Sequence, residues 1–331
     1  MFSIIYIEEE IKEHPRVIEL CQRFPQAQVV YCQRYGEVFN RNTQNFRLQK
    51  KKPALILARK FDNLIHDAPA AYGIGEGRSF YFSHMLNCLY DCRYCFLQGM
   101  LRSANYLLFI NYEDFANAIE EKINGLSDGP GYFFSGYDCD SLAMEPVTGF
   151  AKHFLPLFRK HPQATIELRT KSTQVRGLLD IEPFDNCVVA FSFTPQEISE
   201  KLEHKVPTIE RRLDAMRRLQ DHGWNVGLRF DPLIYQPDFE PQYRDLFQEL
   251  FSVLDSDAIH SVSVGAFRMP DSYFRNIVRL YPDDKLFAQS FEKTNGLVSY
   301  ASALEDRMIT FCNDHLSKYL PESKIFHCAI Q

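Results

Sequence analysis

Six short runs of apolar and β-branched residues, each set off from the next by an amphipathic stretch, constrain what this chain can fold into. They fall at 79–86, 131–136, 165–170, 187–193, 225–230 and 260–267. Between them, helical periodicity marks 112–123, 147–160, 208–222 and 239–254, with Gly125 and Gly223 as stop signals. Strand and helix in alternation imply parallel strands joined by crossovers, so the expected fold is α/β. Eight such units would close a barrel; six give a partial (βα)6 TIM-type barrel. A barrel over 79–281 leaves an N-terminal extension, 1–78, and a C-terminal extension, 282–331.

Parallel barrels carry their chemistry on loops at the C-terminal ends of the strands. The loop after the first run reads Cys88-Leu89-Tyr90-Asp91-Cys92-Arg93-Tyr94-Cys95. Thiolates suit iron and zinc alike. A structural zinc site wants four protein ligands, commonly from two short paired units, and here only one dense group exists, with Cys139 as a distant fourth thiol. C-x3-C-x2-C instead fits a 4Fe-4S cluster held through three irons, with the fourth iron open to S-adenosyl-L-methionine and hence to radical chemistry. Nine cysteines, an odd number, fit a reduced compartment and a metal site better than a disulfide framework. Cys21, Cys32, Cys187, Cys312 and Cys328 read as small core residues. The start has no basic region of a secretory signal, and no stretch approaches the roughly 18 apolar residues of a membrane helix. A cytoplasmic protein that does not enter membranes is expected.

Charge separates two scales. The net charge of -6 argues against a surface that grips nucleic acid everywhere. Between residues 31 and 60, however, eight cations stand against the single acid Glu37, and Lys50, Lys51, Lys52, Arg59 and Lys60 could follow a phosphate backbone. Arg211, Arg212, Arg217 and Arg218 read as exposed positions of an amphipathic helix. Gly73-x-Gly75-x-Gly77 precedes a strand, so it reads as a turn and not as a dinucleotide fingerprint. His84 reads as a core or rim residue.

An ordered set of motifs narrows the class. Lys51-Lys52-Pro53 through Ala58-Arg59-Lys60, the cysteine run continuing through Phe96-Leu97-Gln98, and the Cys139 neighbourhood come first. Thr170-Lys171, Phe191-Ser192-Phe193, Pro207 to Arg211, Pro232-Leu233-Ile234-Tyr235 and Phe267-Arg268 before Tyr281-Pro282 follow. In this order they resemble the spore photoproduct lyase family of the radical S-adenosylmethionine superfamily. The resemblance implies repair of a methylene-bridged thymine dimer, 5-thyminyl-5,6-dihydrothymine, in DNA through a 5'-deoxyadenosyl radical. It implies that Cys88, Cys92 and Cys95 hold the cluster, that Lys171 meets the cofactor's carboxylate and that Ser192 hydrogen-bonds to the same molecule. Tyr235 and Arg268 would line the cofactor and lesion pocket. Cys139 would return a hydrogen atom to the product radical, with Tyr94 as a relay. An electron donor such as flavodoxin or ferredoxin is implied.

The chain departs from the family at three places. Phe96 stands where the family has a tyrosine thought to pass hydrogen between cysteine and cofactor. Asp138 and Asp140 flank Cys139, where their charge would raise the thiol pKa and repel DNA phosphate. The family's basic, glycine-rich segment appears here as 289–296, Gln-Ser-Phe-Glu-Lys-Thr-Asn-Gly. These departures leave two other readings: a paralogue acting on another nucleic acid or a small molecule, and a zinc-stabilised nucleic-acid-binding module.

Overall fold

The computed structural model describes residues 2–328 apart from 70–72, 75, 76 and 128. All six expected strands form, as Arg78–Phe82, Gly131–Ser135, Ala164–Thr170, Cys187–Ser192, Asn225–Leu233 and Ile259–Ala266. They lie side by side in chain order, each parallel to the next. Gly131–Ser135 and Cys187–Ser192 are buried at every position, which is why they read as continuous apolar runs instead of alternating ones. The sheet extends at both edges. Ile325–His327 adds a parallel strand beside Ile259–Ala266, and His66–Asp67 adds an antiparallel one beside Arg78–Phe82. Eight strands thus form a curled, open half-barrel.

The helices follow the expected pattern with one correction. Ile209–His222 starts at Thr208, whose hydroxyl accepts a hydrogen bond from the Arg211 N–H, and stops at Gly223, at φ 101°. The stretch read as one helix over 147–160 is two, Glu145–Thr148 and Phe150–Arg159, broken where Gly149 turns left-handed at φ 59°. The Glu145 carboxylate accepts from the Ala151 N–H at 3.1 Å and so caps the second piece. Phe150 and Phe154 from that piece pack on Phe82 of the first strand, fixing helix to sheet. Burial of each such ring contributes about 1.5–3 kcal/mol.

The first expected strand also ends sooner than its apolar run. Phe82 closes it, and Met85–Leu86 crosses to a second sheet, antiparallel to Tyr106–Phe109. That sheet contains Gln28–Cys32, Ile4–Glu8 and Leu55–Ala58, all parallel, so residues 1–78 build strands of their own. One apolar core runs through both sheets. The cysteine loop follows Met85–Leu86, just after the chain has crossed to the second sheet. Near the C-terminus, Glu292–Thr294 and Leu297–Ser299 form a hairpin on Arg268–Pro270, turning at Asn295 and Gly296, both at positive φ. Gly77, at φ 105°, fits the expected turn before the first strand, whereas Gly75 lies outside the described residues.

Candidate active site

The cysteine loop is held by neighbours on three sides. Asp91–Cys92 pairs antiparallel with Glu203–His204, and the Arg93 N–H donates to Leu202 O at 2.8 Å. Lys50 reaches in from the N-terminal segment to the Asp91 carboxylate and to Gln98 Oε1. From the C-terminal side, the Arg93 guanidinium lies 3.8 Å over the Tyr281 ring and 3.6 Å from Asp284. Behind the loop, Gly99 touches the helix Asp271–Leu280 so closely that a Cβ there would sit 2.2 Å from Tyr273 O. Only glycine permits that approach.

Cys88, Cys92 and Cys95 are free thiols, and burial pushes each of them up. The Tyr90 N–H donates to Cys88 Sγ at 3.4 Å, and the charge of Lys171 acts on both Cys92 and Cys95. Among the described residues no three His, Cys, Asp or Glu side chains come together around a single ion. Three thiols on one loop, with a cation beside them, match instead the donor set of a cluster whose thiolates bind different irons.

Cys139 follows the second strand, as expected. Gly136, at φ 77°, makes the turn, and a Cβ there would collide with Ser141. The thiol is buried; burial first, then Asp140 and Asp138, push its pKa well up, so it stays protonated. Both aspartates are held by hydrogen bonds within the protein. Asp138 is half-buried, accepting from Ser83 Oγ at 2.6 Å within the field of Lys60 and His66. Asp140 is a hub. Its Oδ1 accepts from Thr170 Oγ1 at 2.6 Å, Leu142 N at 3.0 Å and Ala143 N at 2.8 Å, and its Oδ2 accepts from Lys171 N at 2.7 Å. One carboxylate thus ties the Cys139 loop to the Thr170-Lys171 strand end.

Lys171 points toward the cysteines. Its Nζ lies 3.8 Å from Glu203 Oε1 and 5.6 Å from the centre of the Tyr94 ring. Tyr94 is buried and its hydroxyl donates to the same Glu203 oxygen. Glu203 Oε2 accepts from Arg212 Nη2 at 2.8 Å and Ser199 Oγ at 2.9 Å, while Arg212 Nη1 donates to Ser192 O at 2.9 Å. Burial raises the Glu203 carboxyl, but Arg212, then Lys171, outweigh it and hold the group below its ordinary value. Neither Glu203 nor Arg212 was found from sequence. Arg212 is wholly buried, correcting its reading as an exposed helix position; the available signal was its place on the apolar face beside Ile209, Leu213 and Met216.

A second charged group inside the half-barrel also escaped notice. Glu167 and Arg229, both fully buried, pair at 2.7 Å, and Arg169 and Tyr132 complete the carboxylate's partners. Against its burial, Arg229 and Arg169 lower Glu167 to about 2.

Phe96 meets Tyr137, ring centroids 5.5 Å apart, and Tyr137 stacks on Tyr81 at 4.4 Å, which stacks on His66 at 4.8 Å. Tyr235 and Arg268 sit farther along the sheet. The Tyr235 N–H donates to Tyr300 Oη, and its ring lines a small cleft with Phe239 and Met308 that includes none of the cysteines. Arg268 pairs with Asp231 at 3.1 Å. Three of the eight cations of the basic segment have ion-pair partners: Lys50 in Asp91, Arg59 in Asp114, and Arg34 in Glu10 and Glu8. Burial lowers the Lys60 pKa. Lys51 and Lys52 are exposed and make no ion pair among the described residues. His84 is a core residue against Phe150, and burial holds it neutral, with a pKa of about 3.

An open α/β half-barrel with a three-thiol loop at the end of its first strand and a lysine at the end of its third defines the class of protein. Comparison with known proteins narrows it. The model of the family "Spore photoproduct lyase" matches residues 3–327, and the chain belongs to that family. It is 22% identical to the spore photoproduct lyase of Bacillus subtilis over 295 residues, 86% of this chain and 83% of that one. The corresponding figures for the Geobacillus enzyme are 23% over 297 residues, 86% and 84%. A solved spore photoproduct lyase with bound AdoMet and dinucleoside spore photoproduct superposes with a TM-score of 0.85 at 18% identity, covering 100% of this chain and 99% of that one.

Proposed function

We propose that this chain is a radical S-adenosylmethionine lyase that repairs the methylene-bridged thymine dimer of DNA. The observation that carries the reading is a buried, protonated thiol, Cys139, tied through Asp140 to the strand end where Lys171 faces the cysteine loop. Cys88, Cys92 and Cys95 would hold a 4Fe-4S cluster that, with S-adenosylmethionine and one electron from the donor, would supply a 5'-deoxyadenosyl radical for hydrogen abstraction from the lesion, whose methylene-bridge C–C bond would then break to leave a product radical. Lys171 holds the cofactor's carboxylate, and Ser192 gives it a further hydrogen bond. Cys139 then gives its S–H hydrogen atom to the product radical: the S–H bond breaks, a C–H bond forms, and a thiyl remains. Burial suits this step, because a thiolate has no hydrogen atom to give.

Tyr94 is retained beside Glu203, but Phe96 has no O–H to relay hydrogen, so the fate of the cofactor is read from where deuterium ends. Lys51 and Lys52 are exposed members of the basic segment that could meet phosphate. Unstacking a base costs a few kcal/mol, least for a damaged one, which favours the lesion. The middle segment, 79–281, carries this chemistry, buttressed by the two extensions. A reducing, cytoplasmic setting suits nine free thiols, and a flavodoxin or ferredoxin would supply the electron.

Anaerobic reconstitution with iron and sulfide, followed by incubation with dinucleoside spore photoproduct, S-adenosylmethionine and dithionite, tests the reading. Conversion of dimer to thymine is the expected result. Accumulation of 5'-deoxyadenosine with the dimer intact would transfer the chemistry to another nucleic acid or a small molecule.

A further inference from the structure

The group around Glu203 contains one carboxylate and two cations, and their spacing is unequal. Arg212 is in full contact with Glu203 Oε2 at 2.8 Å, whereas Lys171 Nζ stands 3.8 Å from Oε1, beyond hydrogen-bond reach. The other places on the carboxylate are taken by Tyr94 and Ser199. Arg212 has no freedom to turn away, since Nη1 is bound to Ser192 O and Nη2 also to Ser199 Oγ. Asp140, the next carboxylate along, receives the Lys171 backbone N–H and makes no ion pair with its ammonium among the described residues. One buried negative charge is thus matched by one buried positive charge, and the charge of Lys171 is left over. A cation that is 14% exposed and only loosely paired is a ready site for an anion.

We propose that Arg212 is a positioning residue: by neutralising Glu203 it keeps the Lys171 ammonium available for the carboxylate of S-adenosylmethionine. This rests on the reading of Lys171 as the partner of that carboxylate. Without the guanidinium, Glu203 would draw Lys171 into a tight pair, and the incoming carboxylate would have to compete with a carboxylate already in place. Arg212 also grips the backbone of Ser192. One side chain therefore sets both protein groups assigned to the cofactor.

The test measures equilibrium binding of S-adenosylmethionine and of its decarboxylated analogue to the anaerobically reconstituted protein, with no turnover. The wild type should favour the carboxylated compound. Arg212→Met should weaken S-adenosylmethionine by about 10- to 100-fold, as for breaking a buried charge pair, and change the decarboxylated analogue little. Should that variant not fold, Arg212→Met/Glu203→Gln removes both buried charges together; a glutamine has one acceptor oxygen, so either the Tyr94 or the Ser199 hydroxyl turns to accept from its NH2. The double variant and Glu203→Gln alone should both retain the preference for the carboxylate. Equal weakening of both ligands by Arg212→Met, no change in either, or loss of the preference in the double variant overturns the inference. Lys171→Met separates the two layers. If it leaves the preference intact, the reading of Lys171 fails; if it abolishes the preference while Arg212→Met does not, only the role of Arg212 fails.

Discussion

Asp140→Asn tests whether one carboxylate holds the Cys139 loop to the Lys171 strand end. In the wild type, three donors converge on Oδ1 and one, the Lys171 N–H, on Oδ2 at 2.7 Å. An asparagine has one acceptor oxygen. Placed to serve Thr170, Leu142 and Ala143, it turns its NH2 group toward the Lys171 N–H, setting donor against donor. The lost bond is charge-assisted, worth about 1.5–3 kcal/mol, and the stranded N–H adds about 1–3 kcal/mol, partly offset because a buried carboxylate no longer needs desolvating. A net local cost of about 3 kcal/mol is expected. Amide hydrogen exchange at Lys171 should then speed up by about a hundredfold, since each 1.4 kcal/mol is a factor of ten. Hydrogen return should fall with it as Cys139 loses its register, while the cysteine loop, on which Asp140 acts through its charge and not through its hydrogen bonds, should keep its iron. Unchanged protection at Lys171 would refute the reasoning.

Four further outcomes follow from the same geometry. Burial raises the Glu145 carboxyl from 4.5 to about 7. It is protonated in both states below about 4.5 and ionised in both above about 7, so its contribution falls by about 3 kcal/mol as pH rises through that window. Urea midpoints at pH 5 and pH 8 should differ less in Glu145→Gln than in the wild type, and an equal difference would remove Glu145 as the cause. Gly99→Ala should cost about 1–3 kcal/mol by forcing Tyr273 away, plus about 1 kcal/mol for the Asn276 bond to Gly99 O, and should lower iron retention; full iron content at wild-type stability would contradict the close approach. Cys139→Ala should keep the iron and 5'-deoxyadenosine formation yet lose clean dimer repair, whereas loss of metal would favour a four-thiolate site. Lys51→Glu/Lys52→Glu should reduce the salt slope of duplex binding by about 2 without changing turnover of the dinucleoside, and an unchanged slope would take both lysines off the phosphates.

Much of this protein was legible because the signals are local. The spacing of Cys88, Cys92 and Cys95 is a property of eight consecutive residues, and the six parallel strands announce themselves as apolar runs wherever both faces are covered. Cys139, Lys171 and Ser192 were singled out by their resemblance to the family's motifs, and each lies at or just after the end of a strand. Charge partners were not legible, because they join residues far apart in the chain. Lys50 meets Asp91 across 41 positions and Glu167 meets Arg229 across 62. Three cations of a basic run thus found carboxylate partners, and Asp140 became a hydrogen-bonded hub. Arg212 shows the difference most directly: helical periodicity placed it on a face, but only the fold put Glu203, Ser192 and Lys171 around that face. The sequence determined which chemistry the chain can carry, since thiol spacing and strand pattern are written locally. The tertiary structure decided which charges are spent and which remain available, since that depends on partners brought together only when distant strands pack.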